Sequence, residues 1–256
     1  MSHATRIELI GVPDLPLVGP GDDLAGMIAG ALERSELGAA PGDVIVVAHK
    51  IVSKAEDRFV DLAGVQPSDR ALRVAAETAK DPRLVEVILS ESKRIVRQRA
   101  DLLITEHRLG YVMANAGVDQ SNVGGDGGGR VLLLPLDPDR SAEALRQRLS
   151  AHNACDLGVI INDSFGRAWR RGTVGVALGV AGLPALRDLR GQADLFGRKL
   201  QVTVVGFADE IAAAASLIMG QAAEKLPVVL VRGLAWTETP SSAQSVVRPV
   251  AEDLFR

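Results

Sequence analysis

Strand-length runs of apolar residues recur along this chain, and they limit its possible folds more than any other feature. Six runs stand out: RIELIGV, DVIVVAHKIV, RVLLLPL, LGVIIN, LQVTVVGFA and LPVVLVRG. Runs of this length and composition predict strands, several of them buried. Aromatic residues make up only 3% of the chain, so we expect a core built from Ala, Val, Leu and Ile.

Helical patterns separate these runs. Apolar residues at spacings of three or four predict helices over residues 22–34, 69–78, 82–92, 141–151 and 209–219. The last is the clearest, because Asp209 and Glu210 open it and Gly220 stands where a helix would stop. Residues 101–118 predict two short strands joined through EHRLG. Because helices and strands do not alternate regularly, the sequence predicts an α+β or mixed α/β fold, not a doubly wound sheet.

Length and charge exclude several classes of protein. The 256 residues suit one large domain or two closely joined lobes, and the net charge of -3 gives no general attraction to nucleic acid or anionic membrane. Cys155 is the single cysteine, which indicates a reducing compartment. The longest uncharged stretches, 172–186 and 211–223, are shorter than the roughly 20 residues of a membrane span. The amino terminus has no signal-peptide pattern, and we expect a soluble cytoplasmic protein.

A glycine run, GGDGGG at residues 124–129, suggests a phosphate-binding loop. No lysine follows it as a P-loop requires, and the Rossmann spacing is missing because no helix begins after it. A flexible connection is therefore the favoured interpretation. Asp119 and Asn122, just before the run, are better candidates because a carboxylate and an amide three residues apart can face one ligand. Such residues also occupy ordinary turns.

Polar residues at a strand end form a second candidate site. The strand at 157–161 runs into Asn162, Asp163 and Ser164, and the last two supply a carboxylate and a hydroxyl of the kind that bind magnesium or manganese. Three arginines, Arg167, Arg170 and Arg171, follow and can bind anionic oxygens. The alternative is a helix cap followed by a solvated basic face, and from this segment alone the two interpretations are evenly balanced.

Two further segments carry weaker signals. If a helix begins near His49, Lys50 and Lys54 lie on one face beside a strand end, which suits a polyphosphate. Considered alone, lysines at this spacing are more often a solvated face. Gln221 follows Gly220 before another buried strand; a glycine there permits close ligand approach, although a plain helix C-cap is favoured in isolation.

Taken in order, these segments resemble the coenzyme F420-0:γ-glutamyl ligase family. The similarity runs from about Ile7 to Phe255 and is carried by long collinear blocks. They are GDDL, GDVIVVAHKIVSKAE, ITEHRLGYVMANAGVDQSNVG, INDSFGRAWRRGTVGVALGVAGLPAL, ADEIAAAASLIMGQAAEKLPVVLVRGL and RPVAEDLF. The resemblance implies a two-lobed α+β ligase fold with mixed sheets, an intertwined homodimer, and a single ligase unit over residues 1–256 without the nitroreductase-like domain of some relatives.

The resemblance also implies an activity and its ligands. Such an enzyme uses GTP to join L-glutamate to the carboxylate of a deazaflavin coenzyme precursor and then adds further γ-linked glutamate. It requires Mg²⁺ or Mn²⁺ and often K⁺. By position, the implied divalent-metal ligands are Asp119, Asp163, Ser164 and Gln221. The implied nucleotide-binding residues are Leu15, Pro16, Leu17, Val18, His49, Lys50, Lys54, Asn122, Met219, Gly220, Gln221, Ala222, Ala223, Glu224, Lys225 and Leu226.

Some features depart from the family pattern. Ser164 stands where Thr is familiar, Gln221 is a neutral ligand, and the glycine run is long. His49 can act through its backbone as well as its ring. We expect no protein nucleophile, since Cys155 lies in no recognisable triad, and we expect an acyl phosphate intermediate formed from GTP.

Three rival functions remain on the sequence alone. The chain could be a module that binds and delivers a deazaflavin, or a ligase for another acidic substrate. A regulatory GTPase is disfavoured, since neither a P-loop nor an Asn-Lys-x-Asp guanine motif occurs.

Overall fold

The computed structural model describes residues 6–123 and 129–254 of the chain. The strands are β1 Glu8–Gly11, β2 Val44–Ala48, β3 Phe59–Asp61, β4 Ser92–Arg99, β5 Leu102–His107, β6 Val112–Ala114, β7 Arg130–Leu132, β8 Gly158–Gly166, β9 Thr173–Ala181, β10 Arg187–Asp188, β11 Val204–Val205 and β12 Val228–Arg232. The α-helices are α1 Leu24–Arg34, α2 His49–Ala55, α3 Asp69–Thr78, α4 Pro82–Ser90, α5 Pro138–Asn153 and α6 Phe207–Met219. Short 3₁₀ helices cover Leu62–Gly64, Asn115–Gly117, Ala243–Val246 and Val250–Glu252.

A mixed sheet of five strands lies at the centre, in the order β1-β12-β2-β8-β9. Only β2 and β8 are parallel neighbours; the other three pairs are antiparallel. As a result, the carboxyl ends of β1, β2 and β8 and the amino end of β12 lie at the same edge of the sheet. Polar segments that follow or precede these strands are thereby brought to one place.

Both faces of the central sheet are covered, which explains its uninterrupted apolar runs. In β2, Ile45 and Val47 pack against α1 and α5, whereas Val44 and Val46 pack against α6. All four side chains are fully buried. Burying each is worth about 1.5–3 kcal/mol, so α1, α5 and α6 hold the sheet edge in place chiefly through apolar contact.

A separate three-stranded sheet, β4-β5-β6, packs with α3 and α4 around a third apolar core. Strands β3 and β7 pair with one another, as do β10 and β11. The segment from β10 to β11 is a narrow ribbon that turns at residues 194–197, where the Gly197 N–H donates to the Asp194 carbonyl. Leu195 and Phe196 at this turn are 98% and 95% exposed.

The mixed α+β class with mixed sheets is confirmed, and several predicted boundaries are corrected. Helix α5 begins at Pro138 instead of residue 141, because the Asp137 carboxylate accepts from the Arg140 N–H and proline suits the first helical position. Helix α6 likewise begins two residues early, at Phe207, which leaves only Val204–Val205 of the predicted LQVTVVGFA strand. Within the residues that the structure describes, no helix is long and apolar enough to cross a membrane.

Candidate active site

The polar segments singled out in the sequence meet at the sheet edge formed by the ends of β1, β2, β8 and β12. Ala48 at the end of β2 pairs with Asn162 in β8, and Val47 pairs with Val228 at the start of β12. Helix α2 therefore begins beside Asp163. The segment 15–18 leaves the same edge after β1, and residues 219–226 enter it before β12. Edges at the carboxyl ends of strands are common ligand sites in α/β sheets.

Asp163 lies inside β8, which continues to Gly166, so the predicted strand end at residue 161 and the helix-cap alternative are both wrong. Its carboxylate is held against the first residue of α2. Its Oδ1 lies 3.2 Å from His49 Nδ1 and accepts the Ser164 N–H at 2.6 Å. Burial pushes the pKa of Asp163 upward, but the His49 imidazole and the Ser164 N–H outweigh it and lower the pKa below its ordinary value. The carboxylate is therefore ionised at neutral pH. Among described residues, the hydrogen bond and the ion pair of this carboxylate both involve Oδ1, and none involves Oδ2.

Asp119 lies on a loop that a local turn and one strand hold in place. Residues 115–117 all have positive φ, and a Cβ on Gly117 would lie 2.9 Å from the Leu134 side chain, so that position requires glycine. The backbone of Asp119 then exchanges two 2.9 Å hydrogen bonds with Leu132. These two hydrogen bonds fix the backbone of Asp119 and therefore the direction in which its carboxylate projects.

The Asp119 carboxylate contacts a lysine and a serine. Its Oδ2 lies 2.7 Å from Lys50 Nζ, and its Oδ1 accepts from the Ser121 N–H and hydroxyl at 2.7 and 2.8 Å. Burial raises the pKa of Asp119, but the hydrogen bond from Lys50 and those from Ser121 lower it overall. The charge of Asp119 opposes, without reversing, the lowering of the pKa of Asp163, so the two carboxylates lie within electrostatic reach of each other.

The two lysines of α2 face this site instead of forming a plain solvated face. Lys50 Nζ also binds Ser121 Oγ at 2.7 Å, and Lys54 Nζ binds the Asn122 carbonyl at 2.6 Å. Burial, and secondarily the charge of Lys50, lower the pKa of Lys54. Two cations thus lie one helical turn apart next to two carboxylates.

Gln221 joins the site from the loop after α6. Its Oε1 accepts the Ser164 hydroxyl at 2.6 Å, while Asn122 Nδ2 donates to the adjacent Ala222 carbonyl at 3.3 Å. The interpretation of Gly220 as a helix C-cap is also confirmed, since its N–H bonds the Ser216 carbonyl. Strand β8, which carries Asp163, and the loops that carry Asp119 and Gln221 are therefore linked by direct contacts.

The comparisons with known proteins agree over nearly the whole chain. The family model described as F420-0:Gamma-glutamyl ligase matches residues 13–233. A coenzyme F420:L-glutamate ligase of Methanothermobacter thermautotrophicus is 48% identical over 252 residues, 98% of this chain and 99% of that protein. The proteins of the same name from Methanopyrus kandleri and Methanocaldococcus jannaschii are 49% and 40% identical, over 100% and 98% of this chain and 100% and 97% of their own length.

The chain belongs to the F420-0:γ-glutamyl ligase family. It is accordingly an enzyme of the ligase class.

Eight side chains that the family resemblance implies are brought into this site. They are His49, Lys50, Lys54, Asp119, Asn122, Asp163, Ser164 and Gln221. The segment 15–18 lies at the same edge, and the Gly21 N–H bonds the Ala55 carbonyl at the end of α2. Leu17 is 94% exposed and Val18 is buried. The glycine-run prediction falls on residues 124–128, which lie outside the described part of the chain.

Two residues that lie at the site have no role in the sequence prediction. Ser121 contacts both Asp119 and Lys50, and its signal was its position two residues after Asp119, typical of a side-chain-closed turn. Asn162 is buried beside the site, donating to Ser216 Oγ at 3.0 Å and Met219 Sδ at 3.3 Å. Its burial next to α6 could not be read from the sequence, because it depends on the packing of distant segments.

Proposed function

We propose that this enzyme uses GTP to join L-glutamate to the carboxylate of the coenzyme F420 precursor, F420-0, and then adds further γ-linked glutamate. The observation that carries the proposal is the meeting of two ionised carboxylates and two lysines at one sheet edge. A polyphosphate and a divalent cation together need such a mixture of charges. The names of the 40–49% identical relatives supply the two substrates that are joined.

The donor set fits Mg²⁺ or Mn²⁺, which prefer oxygen ligands. Asp119 and Asp163 supply carboxylates, Ser164 a hydroxyl and Gln221 an amide oxygen. Within residues 6–123 and 129–254, no three His, Cys, Asp or Glu side chains form a metal site by themselves. The neutral oxygens and the nucleotide's phosphates would complete the coordination, so metal and nucleotide would share one site. K⁺ is a further expected cofactor, without assigned ligands.

The chain's residues would orient and neutralise the reacting groups. A carboxylate does not react with an amine at neutral pH, because oxide is a poor leaving group. Transfer of the γ-phosphoryl group to a carboxylate oxygen of F420-0 releases GDP and gives an acyl phosphate. The glutamate amine then attacks the carbonyl carbon, loses its proton and expels phosphate. Bound metal would stabilise the charge that develops on the transferred phosphoryl group.

Lys54 is suited to hold a phosphate oxygen. Its ammonium makes one hydrogen bond to a described residue, the Asn122 carbonyl, and so retains donors for a ligand. The segments 15–18 and 219–226 flank this position and would enclose the rest of the nucleotide. Correct alignment of two bound reactants can lower the activation barrier by roughly 7–11 kcal/mol. No protein nucleophile is needed for this contribution.

We also propose that two copies associate as a homodimer through the ribbon between β10 and β11. Its tip exposes Leu195 and Phe196 almost completely, and Val202 further along is 85% exposed. Apolar side chains of this size rarely project together from a monomer surface. A second copy of the chain would cover them.

An assay with F420-0, glutamate, GTP and Mn²⁺ tests the activity. We expect the coenzyme to gain mass in glutamate-sized steps, with GDP released in proportion. Asp163→Asn keeps the oxygen that accepts from Ser164 and His49 but loses the charge, so kcat/KM should fall roughly 10²–10³-fold, as when a transition-state contact is removed. Asp57→Asn, at an exposed position, is the matched control.

Each rival function predicts a different result in this assay. Coenzyme that binds but never gains mass would identify a delivery module and overturn the proposal. Glutamate ligation to a different acid, with F420-0 left unchanged, would identify another amide ligase. Full activity in Asp163→Asn would overturn the role given to that carboxylate.

A further inference from the structure

The ammonium group of Lys50 already uses all of its hydrogen-bonding capacity within the site. It lies 2.7 Å from Asp119 Oδ2, 2.7 Å from Ser121 Oγ and 3.4 Å from the Ser121 carbonyl. An ammonium group has three donors, and these three oxygens take them. Lys50 must therefore release at least one partner before it can bind a phosphate.

Lys54, one helical turn away, is arranged differently. It contacts the Asn122 carbonyl but, among described residues, no carboxylate. Both lysines project from the same face of α2, so a polyphosphate that reaches one can reach the other. The two are thus unequal: Lys54 can receive a phosphate as it stands, whereas Lys50 has to exchange a carboxylate for it.

Lys50 also lies where a cation that binds Asp119 would lie. Ser121 holds the Oδ1 side of this carboxylate through its N–H and hydroxyl, and Lys50 holds the Oδ2 side. A divalent cation that uses Asp119 must therefore compete with an ammonium group for the same oxygen. About a quarter of each side chain is exposed, so their attraction is only partly screened by water.

We propose that Lys50 is a built-in counter-ion for Asp119 and that the nucleotide's phosphates draw Lys50 away from this carboxylate. Divalent metal and nucleotide then bind cooperatively. The inference rests on the proposed metal and nucleotide site. It adds that Lys50 opposes binding of metal alone. Removing an ordinary site residue would weaken metal binding, whereas removing Lys50 should strengthen it in the absence of nucleotide.

Mn²⁺ titrations followed by electron paramagnetic resonance test the inference on the full chain. The proteins compared are the wild type, Lys50→Met, Lys54→Met and Asp119→Asn, each with Mn²⁺ alone and with saturating GTP. No glutamate or coenzyme is added, and the signal is corrected for Mn²⁺ bound by free GTP. Circular dichroism and melting curves check that each variant is folded, and Lys50→Gln serves as a second substitution.

With Mn²⁺ alone, we expect Lys50→Met to bind about 10-fold more tightly than the wild type, a difference of about 1.4 kcal/mol. Lys54→Met, the matched control, should change this affinity less than 2-fold, and Asp119→Asn should weaken it. The factor by which GTP tightens Mn²⁺ binding should fall in Lys50→Met by a similar amount, because the ammonium group that GTP has to draw away from Asp119 is already absent. By reciprocity, the factor by which Mn²⁺ tightens GTP binding should fall equally.

The possible failures are distinguishable. If Mn²⁺ binds and depends on Asp119, but Lys50→Met and Lys50→Gln bind Mn²⁺ alone no more tightly than the wild type, the counter-ion role is wrong while the proposed metal site stands. If the wild type binds no Mn²⁺ even with GTP, the proposed metal site and this inference both fail.

Discussion

Replacing Glu91 by Gln should destabilise the fold, because this carboxylate ties three segments together. Glu91 Oε2 lies 3.1 Å from Arg108 Nε, 3.3 Å from Arg58 Nη2 and 3.4 Å from His107 Nε2. Arg58 follows α2, so the cluster also supports the helix that carries Lys50 and Lys54. Burial alone would raise the pKa of Glu91, but the hydrogen bonds of His107 and Arg108 and the charges of both arginines lower it to about 2.

The size and pH dependence of the stability loss in Glu91→Gln follow from this pKa. A fall from 4.5 to about 2, at about 1.4 kcal/mol per pH unit, corresponds to roughly 3 kcal/mol of folding free energy. Because the pKa is lower in the folded state, this stabilisation is complete above the unfolded-state pKa of about 4.5. It is lost as the pH falls from there towards 2.

Urea unfolding at pH 7, 4 and 3 measures this contribution. We expect Glu91→Gln to lower the free energy of unfolding by roughly 3 kcal/mol at pH 7, with the difference from the wild type narrowing at pH 4 and again at pH 3. Glu143→Gln, which breaks an exposed pair with Arg146, is the control and should cost less than about 1 kcal/mol. Equal losses in the two variants, or a Glu91→Gln difference that stays constant from pH 7 to 3, would refute this reasoning.

Two further predictions concern the Asp119 loop and the ribbon tip. Gly117→Ala should cost roughly 2–3 kcal/mol in thermal unfolding, because alanine is strained at φ +69° and its Cβ meets Leu134. Gly64→Ala, with open space around it, is the control. Equal melting temperatures of the two variants would contradict the requirement for glycine at residue 117. Leu195→Ser with Phe196→Ser should shift the protein from dimer to monomer in sedimentation velocity, and an unchanged sedimentation coefficient would exclude the ribbon as the dimer contact.

Much of the fold could be predicted because some segments carry their own signal. The predicted helix at 69–78 matches α3, whose N-terminal cap is the Ser68 side chain. The buried runs in β2, β8 and β12 are apolar at consecutive positions because both faces of the sheet are covered. These features depend on local sequence, so they can be recognised without knowledge of the partner strands.

Other elements could not be predicted because their stability depends on distant contacts. Strand β9 is rich in glycine, which weakens strand propensity, yet a Cβ on Gly175 would lie 2.2 Å from Ser216 Oγ in α6. The glycine serves the packing of a helix more than thirty residues away in sequence. Strand β4 has no recognisable strand pattern either, because it is rich in charged residues and is only partly buried.

The residues that meet at this sheet edge could be predicted one by one, but their pairings could not. The collinear blocks pointed to Lys50, Asp119, Ser164 and Gln221, each of which has a common structural explanation in isolation, and the structure brings the four together. The sequence did not indicate that Lys50 contacts Asp119 or that Ser164 bonds Gln221 across 57 residues. Such pairings arise from sheet order, because the carboxyl ends of β2 and β8 are neighbours only after the chain has folded.

The central claim is that Asp119 and Asp163 hold a divalent cation against the phosphates of a bound nucleotide. Pulsed electron paramagnetic resonance of protein-bound Mn²⁺ with GTP measures this directly, since phosphorus nuclei of coordinated phosphates couple to the metal. We predict a clear ³¹P coupling in the wild-type complex. Asp119→Asn and Asp163→Asn should bind Mn²⁺ more weakly, so that at the same concentrations the signal of protein-bound Mn²⁺ and its ³¹P coupling fall together. Bound Mn²⁺ without ³¹P coupling, or a coupling unchanged in both variants, would contradict the claim.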